Sequence, residues 1–263
     1  MDSNWERWKR PIRNQLKSGQ AWLRGYPFYY TRQLNPEAVD RYTHCWSESV
    51  TPIPDRGSAE IRQNRLWNLK QAASRIHYLR LDPGQIFSFC DRVGEPTLAN
   101  GFREGPVFVR GQVETGVGGG LCLIATNTFR TFLLAGCSIL ERHCHSIDAY
   151  GESRFYELGQ DAAVAYGYKD LIVRNPSPVP LQLRFEVLPE AGTVRSSLWG
   201  QSLCAWQVKV ESRVLQKIPA PVPDGIPGWV VKTVRYISDR PKQSTNWASD
   251  YVTTSIYKPC LPS

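Results

Sequence analysis

The stretch GVGGGLCLIATNTF, residues 116–129, sets Gly116, Gly118, Gly119 and Gly120 directly in front of a cysteine and a helical pattern. Beyond Leu121, the residues Ala125, Phe129, Phe132, Leu133 and Gly136 share one face at helical spacing, with Thr126, Asn127, Arg130 and Thr131 largely on others. Gly136 is placed to end this helix. A helix so apolar must be covered by a second layer, and the residues after it supply one. From Ile139 the chain breaks into short bursts, ILERHCHSI, DAAVAY, DLIVRN and PLQLRFEVL, each bounded by Gly, Pro or charged residues as antiparallel strands are. The expected fold is therefore α+β, with N-terminal helices and a Cys-bearing helix packed on an antiparallel sheet.

Working upstream, Leu66, Leu69, Ala73 and Ile76 recur at helical spacing behind Ser58, a suitable N-cap. Pro83-Gly84 fits the centre of a type II turn, after which Ile86, Phe87 and Phe89 read as extended. Between Asp91 and Gly116 the one clear strand is GPVFVRGQV. Past Gly192, TVRSSL, AWQVKVESRVL, WVVKTVRYI and YVTTSIY are further strand candidates that extend the sheet or form a small appendage. The turn cluster TPIP-DRGS, residues 51–58, suggests a boundary. The expected organisation is a basic, aromatic lead-in over 1–57, a core domain over 58–190 and a C-terminal β extension over 191–263, without internal repeats.

A cysteine in the first turn of a helix meets unpaired N–H groups and the positive end of the macrodipole, both of which favour thiolate. The same amides suit a developing oxyanion, and glycines let a substrate carbonyl approach them, which makes Gly118, Gly119, Gly120 and Leu121 candidate oxyanion residues beside Cys122. Downstream, ERHCHS reads as strand, with His143 and His145 on one face and Cys144 on the other. Asp161, at the start of the next strand candidate, is placed to orient an imidazole. Nucleophile on a helix N-terminus, base on one strand and acid on its neighbour is the layout of papain-like and transglutaminase-like thiol enzymes. Cys122, His145 and Asp161 are thus the catalytic candidates. The chemical rival is a mixed metal shell from His143, His145, Cys122 and Asp161, but H-x-H without a matched second pair is a poor metal signature, so no metal or other cofactor is expected.

Composition narrows the partners. The chain has 263 residues, 41% of them hydrophobic, enough for a packed core. Its net charge of +8 favours acidic partners, yet the basic residues are scattered and carry no nucleic-acid-binding signature. Seven cysteines, an odd number without a CxxC pair, argue for reduced thiols. The N-terminus lacks a signal-peptide core and no run reaches the roughly 18 apolar residues of a spanning helix, so a cytoplasmic location is expected. Trp5, Trp8, Ile12 and Leu16 at helical spacing among basic residues add an expected weak, peripheral membrane contact through residues 1–30.

Four ordered motifs, NRLWNLKQAASRIHYLRLDPGQIFSF, GVGGGLCLIATNTF, ILERHCHS and GQDAAVAYGYKDLIVRN, resemble the VanW family of bacteria over about Asn64 to Val187. The resemblance implies a link to the cell wall and to glycopeptide (vancomycin) resistance. Within it, Cys122 matches the family cysteine, His145 its histidine and Asp161 the acid of its G-x-D-A motif. One position departs: the family usually carries Gln after the cysteine, and here it is Leu123. Two functions are therefore expected as rivals. One is a thiol-dependent hydrolase or acyl transferase acting on an amide or thioester of a peptidoglycan precursor. The other, kept open by Leu123, is a non-catalytic module that binds cell-wall peptides in the same cleft.

Overall fold

The computed structural model describes residues 21–109, 112–238 and 246–261. Helix α1 (Ala59–Ser74) begins where the sequence places its cap, with the Ser58 hydroxyl accepting the Ile61 amide at 3.3 Å. Strands β2 (Leu79–Leu81) and β3 (Ile86–Ser88) follow. Between them Gly84 adopts φ +77°, and the Gln85 amide donates to Asp82 O at 3.0 Å, as the Pro-Gly turn requires. Phe89 does not continue the extended run. It opens a short helix, α2 (Phe89–Val93), because the Ser88 hydroxyl accepts the Asp91 amide at 3.0 Å and caps it. The burst GPVFVRGQV is likewise not one strand but parts of two, β4 (Glu104–Val109) and β5 (Gln112–Val117), paired antiparallel with Pro106 opposite Thr115.

The Cys-bearing helix α3 (Leu121–Leu134) packs on an antiparallel sheet, against β1 (His44–Pro52) and β9 (Thr193–Gly200). Its apolar face, with Phe129, Phe132 and Leu133, joins Leu69 and Ile76 in the main core. On the opposite face Thr126, Asn127 and Thr131 are fully buried, while Arg130 is half-buried. Asn127 Nδ2 donates to Ser49 O at 3.0 Å and Thr51 Oγ1 at 2.9 Å, and the Thr131 and Ser196 hydroxyls lie 2.6 Å apart, so the sheet partners much of this polar face, although Asn127 Oδ1 is buried without a hydrogen bond. At the far end Gly136, at φ +78°, closes the helix, with the Cys137 amide on Phe132 O at 3.0 Å and the Gly136 amide on Leu133 O at 3.3 Å.

Among the described residues the molecule is mixed α and β, with few helices and several antiparallel sheets. The largest has the order β1-β9-β8-β2, where β8 is Leu181–Leu188. A second pairs β3, β7 (Ile172–Arg174) and β6 (Ser138–Glu141). The C-terminal strands β10 (Gln207–Ile218), β11 (Gly228–Ser238) and β12 (Ala248–Tyr257) form a third. Residues from all three segments expected along the chain meet in the first sheet, since β1 pairs with β9 and β9 with β8.

The third sheet is clamped to the end of α3. Arg235, 2% exposed, donates to Leu133 O at 3.1 Å and Cys137 O at 2.8 Å and pairs with Asp250 at 2.6 Å. The Trp206 indole donates to Ala135 O at 3.0 Å.

Two strand expectations fail next to the cysteine. Strand β6 stops at Glu141, so His143 and His145 lie beyond it in an irregular segment, and DAAVAY forms no named strand. Both stretches spend their hydrogen bonds on each other and on α3 rather than on a ladder: Ala163 N–H meets His143 O at 2.8 Å and Ala162 N–H meets Thr126 Oγ1 at 3.0 Å. All seven cysteines are free thiols. Among the described residues no helix is long and apolar enough to cross a membrane. The amphipathic reading of Trp5, Trp8, Ile12 and Leu16 lies outside the described residues, while Trp22 and Phe28 just after them are exposed.

Candidate active site

The loop that delivers Cys122 depends on glycine at two points. Gly118 and Gly120 adopt φ +92° and +104°, and a Cβ on Gly118 would stand 2.5 Å from Pro96 Cβ. Buried Asn68 fixes the loop from below, donating to Arg103 O at 3.0 Å and Gly119 O at 3.1 Å and accepting the Arg103 amide at 2.8 Å. Gly120 then starts the helix without a side-chain cap, so its positive end faces Cys122 and not a capping oxygen. Of the expected oxyanion donors, the Gly118 amide is committed to Arg103 O at 3.0 Å and the Leu121 amide to Gly118 O at 3.4 Å.

His145 and Asp161 are joined by two bonds. Asp161 Oδ2 accepts the His145 backbone amide at 2.7 Å and the His145 ring Nδ1 at 2.5 Å. Nδ1 is thereby the donor to the carboxylate, which leaves Nε2 for the Cys122 sulfur, the ring's other hydrogen-bond partner. Asp161 Oδ1 in turn takes Arg142 Nη2 at 2.7 Å and the Tyr257 hydroxyl at 2.5 Å. The Tyr156 ring stacks on the imidazole with centroids 5.4 Å apart and planes 9° from parallel. The structure brings together all three residues singled out from the sequence.

The charges alternate along this chain of contacts. Burial pushes the Cys122 thiol up, but the hydrogen bond and charge of His145, with the Val164 amide 3.5 Å from the sulfur, leave it below its ordinary value. Burial also opposes the imidazolium, yet Asp161 and Cys122 raise His145 to about 10. Asp161 is fully buried, which disfavours its charge, but His145, Arg142 and Tyr257 hold it down at about 2. Sulfur, imidazole, carboxylate and guanidinium follow one another, so each group that takes a charge has a neighbour that can take the opposite one.

The other expected residues fall elsewhere. His143 Nε2 bonds Glu141 Oε1 at 2.8 Å and takes no part in the contacts of Cys122 and Asp161 described above. Among the described residues no three His, Cys, Asp or Glu side chains are grouped to hold a metal ion. Leu123, at 3% exposure, belongs to the apolar core and offers the sulfur nothing. Sequence reasoning missed Arg142, Tyr156 and Tyr257. Arg142 stands three residues before His145 and was there to be read; the tyrosines carry no local signal, because Tyr257 arrives from a strand 96 positions beyond Asp161.

Comparison with known proteins fits this geometry into a family. The chain is 31% identical over 123 residues to the vancomycin B-type resistance protein VanW of Enterococcus faecalis, covering 46% of this chain and 45% of that one. It is 30% identical over 122 residues to the uncharacterized protein YoaR of Bacillus subtilis, covering 46% and 39%. The match thus spans less than half the length of either relative. No solved structure matches. The profile of the family described as VanW like protein covers residues 64–199, just over half of the chain, from within α1 to the penultimate residue of β9, a run that holds Cys122, His145 and Asp161. The chain belongs to the VanW-like family, which is linked to vancomycin resistance.

Proposed function

We propose that this chain is a thiol-dependent hydrolase or acyl transferase acting on an amide or thioester of a peptidoglycan precursor or related cell-wall peptide, with the layout of papain-like and transglutaminase-like enzymes. The observation that carries the reading is the His145 ring, hydrogen-bonded to Asp161 through Nδ1 at 2.5 Å and to the Cys122 sulfur on its other side. Cys122 attacks the substrate carbonyl carbon, forming the C–S bond and moving the carbonyl electron pair onto oxygen. The backbone amides of Cys122, Gly119 and Gly120 are the candidates to hold that oxygen, since those of Gly118, Leu121 and Leu123 are spent on Arg103, Gly118 and Gly120. Collapse breaks the bond to the leaving amine or thiol, which departs with the His145 proton. Water or an acceptor amine then attacks the thioester, His145 takes its proton, and the thiolate is released. Asp161 orients the ring throughout, and Arg142 and Tyr257 hold Asp161.

The cell-wall substrate rests on the vancomycin-resistance relative, and thiol chemistry rests on the site. The test is the intact mass of the protein after incubation with cell-wall peptides. A covalent acyl adduct on Cys122, absent in Cys122→Ala, supports the enzyme; reversible peptide binding of equal strength in both proteins, without adduct or turnover, supports a non-catalytic binding module. Burial of Leu123, where the family usually has Gln, favours that second reading.

A further inference from the structure

The His145 side of the site opens onto a narrow crevice walled by Ser146, Ile147, Tyr150 and Tyr156. Cations without a carboxylate partner stand near it. The Arg56 guanidinium lies 5.1 Å from the Tyr150 ring centroid and hydrogen-bonds the Ser153 hydroxyl. Arg65 runs its stem under the loop that delivers the cysteine, where a Cβ on Gly120 would meet its Cγ at 3.2 Å, and its guanidinium donates to the carbonyls of Pro54 and Arg56. Tyr150 links both to the sulfur: beyond burial, which raises its phenol, it feels Arg65 and Arg56 drawing it down and Cys122 pushing it up. Lys169 closes the Ala165–Lys169 turn directly after Val164, whose amide lies 3.5 Å from the sulfur, and its charge, after the larger effects of burial and His145, helps to lower the Cys122 thiol.

Among the described residues, none of these three cations forms an ion pair with a carboxylate. Asp55, whose charge reaches Arg65, is itself bridged to Arg62 at 3.4 Å. Two buried acids close by, Asp161 and Asp148, are already paired with Arg142 and Arg154. A crevice with low-dielectric aromatic walls, flanked behind those walls by cations that no carboxylate pairs, favours anions over cations. We propose that the substrate carries a free carboxylate close to the carbonyl that Cys122 attacks, and that Arg56, with Arg65 and Lys169, recognises it. This rests on the thiol reading above and adds to it the charge of the substrate: a peptide attacked near a free carboxylate, not in the middle of a neutral chain.

Iodoacetate and iodoacetamide test the idea without a known substrate. Both form the same S–C bond and release iodide, and they differ only in carboxylate against carboxamide, so the ratio of their rates cancels the thiolate content of Cys122. The rates are measured at Cys122 by peptide mapping, in native and in denatured protein, with the fold of each variant checked by circular dichroism. The iodoacetate-to-iodoacetamide ratio is expected to be about tenfold higher in the native protein, to fall at high salt, to collapse toward the denatured ratio in Arg56→Gln/Lys169→Gln, and to persist in Arg56→Lys. Equal ratios in native and denatured protein overturn the carboxylate inference and leave the thiol reading standing, with the cations serving the thiolate alone. A native Cys122 that reacts with neither reagent overturns both.

Discussion

Tyr257, the last residue of β12, donates its hydroxyl to Asp161 Oδ1 at 2.5 Å while accepting the Gly159 amide at 2.8 Å. One oxygen from the C-terminal sheet therefore holds both the candidate acid and the turn that precedes it. Tyr257→Phe removes a donor from a buried carboxylate and leaves a buried amide unpaired, which is expected to cost about 1–3 kcal/mol of stability. Chemical denaturation measures it. Because Asp161 loses one of the bonds that hold its charge, the acid unfolding transition should also move to higher pH; an unchanged acid transition would assign Tyr257 to packing alone.

Replacement of the three site residues should give a ranked loss of turnover. Cys122→Ala and His145→Ala are expected to abolish the covalent route, the first by removing the nucleophile and the second by removing the leaving group's proton. Asp161→Asn keeps the nucleophile and should be less severe, although it leaves Arg142 buried without its counter-charge and should lower stability by about 3–5 kcal/mol. His143→Ala should be mild, since its ring bonds Glu141. Rates are compared at a temperature where circular dichroism shows every variant folded. A dead His143→Ala beside an active His145→Ala would reassign the base.

The ion pair makes a pH signature. Cys122 deprotonates below its ordinary value and His145 keeps its proton to about 10, so alkylation of Cys122 should level off at lower pH than for a free thiol and change again near 10. In His145→Ala the profile should revert to a single late rise. Stability carries the same charges with definite sign. Asp161, lowered from 3.8 to about 2, contributes above the first value, and that contribution is lost as pH falls through the second. His145, raised from 6.5 to about 10, contributes below the first value and loses it as pH rises through the second. The melting temperature of the wild type minus that of His145→Ala should therefore shrink toward alkaline pH.

Gly136→Ala should destabilise the far end of the cysteine helix. The position has φ +78°, and an added Cβ would stand 2.1 Å from Trp206 Nε1. Left-handed strain together with displacement of the indole is expected to cost about 1–3 kcal/mol. Thermal unfolding is the measurement, and a neutral substitution would show that Trp206 yields without loss.

Much of this arrangement was legible in residues 116–136, because a glycine run, a first-turn cysteine and a helical stripe are all local patterns. The Ser58 cap and the Pro83-Gly84 turn were legible for the same reason. His145 and Asp161 were found by residue type and order, but their setting was misread: alternation in ERHCHS and DAAVAY looks like strand, whereas the backbone there bonds to Thr126 and to itself. Phe89 was lost to a cap that outcompeted its β propensity. The partners Arg142 and Tyr257 converge only through tertiary packing, which periodicity does not encode. The same holds for the buried polar face of α3, whose Asn127 and Thr131 look like surface until a sheet supplies partners, and whose Thr126 meets the irregular segment at Ala162.

Arg235 and Tyr257 give the third sheet a hold on both the helix that bears the cysteine and the acid beside it. The inherited module and the folding unit therefore do not coincide in this chain. A fragment trimmed to residues 64–199 would keep every residue of the candidate trio yet expose the carbonyls of Leu133 and Cys137, strip Asp161 of its phenol and delete β1, the neighbour of β9. Anyone who transplants this domain, or borrows its boundaries for expression, has to carry the flanking strands along with the motif.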